Sequence, residues 1–175
     1  MSTYTLIQSQ TLASSAASVT FSAIPSTYTD LVLKVSAQTN RTTYADYLLM
    51  TVNSISSGYS ETQLQGQGST ASSSNGSADP TFGYTNSLEV NGVSGSSANN
   101  FGLMEIYIPS YTASQNKPMS VTSMVENNSV TQNYVTTSAF LLGSTAVISS
   151  VTLACNSSYQ FSIGSSFYLY GISSS

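Results

Sequence analysis

The strongest constraint on this chain is an alternation of apolar and polar residues with period two, repeated from one end to the other. In SVTFSAI, Val19, Phe21 and Ala23 share a face; in DLVLKVSAQ, Leu31, Leu33, Val35 and Ala37 oppose Lys34, Ser36 and Gln38. DYLLMTVN aligns Leu48, Met50 and Val52, GLMEIYIP aligns Met104, Ile106 and Ile108, and MSVTSMVEN aligns Met119, Val121 and Val125. VTLAC and SFYLYGI repeat the pattern through Val151, Leu153 and Cys155 and through Phe167 and Leu169. Successive side chains of a strand point to opposite faces, so this spacing marks half-buried strands. With YTLIQS and YVTTSAFLLG added, it predicts an all-β chain: an antiparallel β-sandwich or jelly roll of about eight to ten strands. A length of 175 residues suits one domain spanning 1–175.

The punctuation agrees. Pro25 follows a strand, Pro109 ends one and Pro118 begins the next, where a missing N–H is tolerated. Asn91-Gly92 in LEVNGVSG reads as a hairpin turn, because both residue types accept positive φ. One short helix is expected at YSETQLQG, with Ser60 as N-cap, Gln63 as its capping-box partner and Gly66 as the stop. Residues 65–80, QGQGSTASSSNGSADP, carry almost no apolar side chain and read as a polar surface loop; TASQNKP, 112–118, reads as a second.

Charged residues make up only 6% of the chain, against an ordinary share of about 25%. Three cations and a net charge of −4 cannot displace the counterions of a nucleic acid, so that class of partner is excluded. No apolar run approaches the ~18 residues of a spanning helix, and MSTYTLIQSQ lacks the basic start and apolar core of a secretory signal. The expectation is therefore no membrane partner. The chain has no histidine, which removes the commonest general base and metal ligand. The single cysteine, Cys155, permits neither an intrachain disulfide nor a zinc site, and reads as a small buried hydrophobe. The seven carboxylates are dispersed; only Glu105 and Glu126, on adjacent-looking strands, could converge as a glycosidase pair, against the plainer reading of exposed strand-face acids. Gly66 and Gly68 lack the lysine of a phosphate loop. No cofactor, metal or catalytic residue is expected, and the chain reads as a non-enzyme.

Two groups of residues invite a role. Arg41, in NRTTYAD, stands between the strand ending near Gln38 and the one beginning near Asp46. Its planar fan of donors can bond loop carbonyls and the Asp46 carboxylate together, or reach a neighbouring subunit. Tyr107, Tyr111, Tyr134, Tyr168 and Tyr170 could offer rings to a glycan, or serve strand packing and a subunit interface.

Four stretches read together carry a resemblance: YTLIQSQTLASSAASVTFSAIPSTYTDLVLKVSAQTNR, ADYLLMTVN, MEIYIPSYTASQNKPMSVTSMVENN and the closing FYLYGISSS. In this order they resemble small jelly-roll virion proteins of tailed bacteriophages, especially those infecting aquatic bacteria such as cyanobacteria. The resemblance covers most of the chain and is weakest between 65 and 100. It implies a structural component made in the host cytoplasm and carried on the virion. Within the particle two roles compete, and the length of one compact domain with no stalk or repeat, together with the low charge, favours a capsid decoration (cement) protein, expected as a homotrimer bound to the major capsid protein on the outer capsid surface. The alternative the resemblance leaves open is a tail or head-fibre module that binds a host-surface glycan.

Overall fold

A computed structural model gives the fold and describes residues 3–79, 88–93, 100–127, 129 and 131–173. Twelve strands follow in order: β1 (Thr3–Thr11), β2 (Ser18–Phe21), β3 (Asp30–Ala37), β4 (Ala45–Val52), β5 (Tyr59–Gln67), β6 (Thr70–Asp79), β7 (Glu89–Asn91), β8 (Gly102–Ile108), β9 (Lys117–Val125), β10 (Tyr134–Leu142), β11 (Val151–Cys155) and β12 (Ser166–Ser173). They form two sheets, one of eight strands in the order β1-β12-β3-β8-β9-β10-β5-β6 and one of four in the order β2-β11-β4-β7. All the strand pairs are antiparallel. The protein is a β-sandwich, and its first five strands alternate between the two sheets. The two ends of the described chain meet at one edge, where Thr3 pairs with Ser173.

All nine segments with apolar alternation contain strands, and most bury their apolar set; the exception is the edge strand β1, where Tyr4 and Leu6 are exposed. The pattern is cleanest in β4, where every second residue is buried, and in β8 and β9. Leu31, Leu33, Ile106, Phe167 and Leu169 from the larger sheet meet Val19, Leu48, Met50, Val151 and Leu153 from the smaller one in a continuous core. Tyr59 crosses this core with its hydroxyl satisfied at both lone pair and proton: it accepts from Val52 N–H at 3.0 Å and donates to the Ile55 carbonyl at 2.9 Å. Gly171 in β12 lies under the ring of Tyr28, and a Cβ there would stand 2.3 Å from Tyr28 Cγ.

Three expectations are corrected. YSETQLQG is strand β5, and among the described residues there is no helix. Ser60, Gln63 and Gly66 pair across to Leu141, Ser138 and Val135 of β10, so the apparent capping box is only a strand with polar residues on both faces. The polar stretch 65–80 is not a loop through its described length. Residues 65–67 finish β5, a tight turn passes Gly68 (φ +54°), and β6 returns antiparallel from Thr70 to Asp79. Asn91-Gly92 is not a positive-φ hairpin turn, since neither residue has positive φ. Gly92 is glycine for a different reason: a Cβ would lie 2.2 Å from the Thr43 carbonyl oxygen and 2.8 Å from that of Arg41.

Candidate functional site

The sandwich core is apolar beneath β12, β3 and β8 and turns polar beneath β9, β10 and β5. There Glu61, Gln63, Ser123, Thr136 and Ser138 are buried. The smaller sheet ends at the three-residue strand β7, so the far strands of the larger sheet overhang it. Under this overhang lies a cleft of about 460 Å³, lined by residues 41–47, Gln65, Gln67, Glu89, Gln132 and Tyr134.

One wall is the loop between β3 and β4. Arg41 Nη1 donates to Asp46 Oδ1 at 2.8 Å, and the Asp46 side chain is fully buried. Asp46 also accepts from Thr39 Oγ1 at 2.8 Å and from the Tyr47 N–H at 3.0 Å. The guanidinium carbon stands 5.5 Å from the ring centre of Tyr47 and 5.4 Å from that of Tyr159, within cation–π reach. The hydrogen bond to Asp46 raises the guanidinium pKa further, against the opposing pull of burial. The loop backbone is fixed from behind: Val93 N–H donates to the Arg41 carbonyl at 2.9 Å and Gly92 N–H to the Tyr44 carbonyl at 3.2 Å. The space that Gly92 leaves open is what admits this loop.

The floor is Glu89, only 4% exposed. Thr136 Oγ1 donates to one carboxylate oxygen at 2.8 Å and Gln65 Nε2 to the other at 3.1 Å. Burial without a cationic partner pushes its carboxyl up to about 7, only partly opposed by these two donors. The opposite wall is a second polar chain. Gln67 Nε2 donates to Tyr134 Oη at 3.0 Å, and that hydroxyl donates to Gln132 Oε1 at 2.7 Å.

The residues singled out by sequence divide accordingly. Arg41, Asp46 and Tyr134 line the cleft together. Tyr107 lies on the outer face of the larger sheet, its hydroxyl 3.0 Å from Asp30 Oδ2. Tyr168 and Tyr170 lie on the same outer face, with Tyr170 edge-on to Tyr4 at 6.4 Å. Tyr111 is 0% exposed and hydrogen-bonded to the Pro25 carbonyl, which makes it a core residue and not a contact aromatic. Glu105 pairs with Lys34 at 3.1 Å. It faces Thr122 in the β8–β9 register, so Glu126 lies roughly 13 Å farther along the strand direction, beyond the ~5–10 Å of a glycosidase pair. Cys155 is buried, and burial pushes its thiol up to about 12, where it is an inert apolar group. Glu89, Gln65, Gln67, Gln132, Tyr44 and Tyr47 were not anticipated. The available signal was Glu89 itself, an acid set between Leu88 and Val90 in an apolar run.

A second surface stands out. On the outer face of the larger sheet, Leu103, Met124 and Val135 are cross-strand neighbours in a row that continues through Gly66 to Ala71. They are 50%, 44% and 58% exposed, and Leu64, one row away, is 60% exposed. Shallow hollows of about 310 Å³ and 420 Å³ lie on either side of Met124. Comparison with protein-family models, with curated proteins and with solved structures returns no match for this chain.

Proposed function

We propose that the chain is a virion structural protein of a tailed bacteriophage, a capsid decoration protein of jelly-roll type that packs as a homotrimer over the outer surface of the major capsid lattice. The observation that carries this reading is the outer face of the eight-stranded sheet. It is broad and carries few charges, chiefly the mutually paired Lys34 and Glu105, and it presents the row Leu103, Met124 and Val135 with Leu64 nearby. Exposed contiguous apolar side chains rimmed by polar ones mark protein–protein contact. A surface with few charges adds little repulsion between closely packed copies. The four stretches that resemble phage virion proteins point the same way. Such a protein stabilises a shell by mass action, since it binds the assembled lattice and not free capsid subunits. Many modest interfaces repeated by symmetry then act together against internal pressure.

The test is the copy number of this protein in purified particles, measured by quantitative mass spectrometry against the major capsid protein. The reading requires a copy number comparable with the capsid protein. A copy number matching tail or fibre proteins sinks it. Met124→Asp, which charges the centre of the row, should lower occupancy on the shell and the temperature at which particles release DNA.

A further inference from the structure

The cleft beneath the overhang is made of groups that suit one kind of ligand. Its volume of about 460 Å³ falls within the range of small-molecule sites. Tyr44, Tyr47 and Tyr134 contribute partly exposed rings, and Gln65, Gln67 and Gln132 contribute flat amides. An aromatic ring offers a platform to a C–H face. A primary amide both donates and accepts, which matches a hydroxyl, itself donor and acceptor. Among the described residues several of these polar atoms have no partner: Gln65 Oε1, Gln67 Oε1 and Gln132 Nε2 make no hydrogen bond, and Arg41 spends only Nη1 on Asp46.

The charges in the cleft argue against an ion. Arg41 is already neutralised by Asp46 at 2.8 Å. A phosphate or carboxylate would meet a guanidinium whose charge Asp46 already balances, and an ammonium would enter beside Arg41. The walls are also held in place before any ligand arrives, by the Gln65–Glu89–Thr136 and Gln67–Tyr134–Gln132 hydrogen-bond chains and by the loop seated on Gly92. Fixed polar groups lower the ordering cost of binding.

From the juxtaposition of Tyr44, Tyr47 and Tyr134 with Gln65, Gln67 and Gln132 around Arg41 and Glu89, we propose that this cleft binds a neutral saccharide, with a pyranose ring laid on a tyrosine and its hydroxyls read by the amides. The site is separate from the apolar row on the outer sheet face. It therefore stands or falls independently of where in a particle the protein is carried.

The probes are the methyl glycosides of glucose, galactose, mannose and N-acetylglucosamine, titrated into the isotopically labelled full chain and followed by amide chemical shifts. The expected result is saturable shifts for at least one of them, with Kd in the millimolar range, confined to residues 41–47, 65–67, 89 and 132–134. Tyr44→Ala, whose ring is exposed, should weaken binding about tenfold or more with the rest of the spectrum unmoved, and Gln65→Ala should weaken it by a similar factor while shifting the amides around its partners Glu89 and Thr136. No saturable shift with any of the four glycosides overturns the proposal. So does tighter binding of inorganic phosphate, glucuronate or tetramethylammonium at the same residues, which would make the cleft an ion site. Shifts that survive unchanged in both variants would place the sugar elsewhere and equally refute it.

Discussion

Glu89 gives the sharpest handle on the energetics of the cleft. Its carboxyl is buried, with two hydrogen-bond donors and no cationic partner, and its pKa rises from an ordinary 4.5 to about 7. Below about pH 4.5 the group is protonated in both folded and unfolded chains and carries no penalty. Between about 4.5 and 7 the unfolded chain ionises it while the folded chain keeps the proton, so stability falls as pH rises. Above about 7 the loss is complete. The shift corresponds to about 3 kcal/mol, at 1.36 kcal/mol per pH unit. Glu89→Gln keeps the shape and removes the titration; its amide oxygen accepts from one neighbour, and its amide N–H donates to the other, since the Thr136 hydroxyl can also accept. The variant should track the parent's pH profile in acid and become progressively more stable above about pH 5, by up to about 3 kcal/mol at pH 8. For a domain of this length that is a rise in Tm of about 6–12 °C. Urea unfolding of both proteins across the pH range measures it. A stability difference that stays constant with pH, or a variant that loses ground at high pH, would refute the assignment of Glu89 as a buried, unpaired carboxyl.

Other perturbations follow from the same contacts. Arg41→Met leaves the buried Asp46 carboxylate without its cation and should cost about 2–3 kcal/mol in denaturant unfolding, with much of the loss recovered by adding Asp46→Asn. Gly171→Ala drives a methyl into the Tyr28 ring and should cost about 1–3 kcal/mol; in a Tyr28→Ala background the same change should add little, which a double-mutant cycle would read. Tyr59→Phe strands the Val52 N–H and the Ile55 carbonyl and should lower stability by about 1–3 kcal/mol, with no change in the fold by circular dichroism.

The strands legible in the sequence are those whose apolar residues face the core. β3, β4, β8, β9 and β11 alternate because one side of each is buried against the opposite sheet. β5 escaped because its alternation is inverted: Leu64 points to solvent while Glu61 and Gln63 point inward to a polar interior. A polar–polar strand has no apolar stripe, and a chance Ser-x-x-Gln then imitated a helix start. β6 escaped because its first six residues, TASSSN, are all small or polar, so neither face is marked. Asn91-Gly92 misled for a local reason: a glycine needed for close backbone approach looks the same as one needed for positive φ. Arg41 and Asp46 could be paired from sequence because they stand only five positions apart. The rest of the cleft could not be read. Residues 41–47, 65–67, 89 and 132–134 converge only through the β4–β7 and β5–β10 pairings, and no spacing in one chain reports which strands become neighbours.

The pairing of Thr3 with Ser173 sets the protein's polarity as a building block. Both ends of the described chain leave from the β1–β12 edge, six strand spacings from β5, or roughly 29 Å at ~4.8 Å each. A cargo joined to either end would therefore hang from the border opposite the cleft, and cleft and cargo could be used at once. Joining the two ends directly and opening the chain at the β5–β6 turn would move the attachment point beside the cleft without altering any other strand crossing. The same fold could then carry a fused reporter either far from its binding groove or against it.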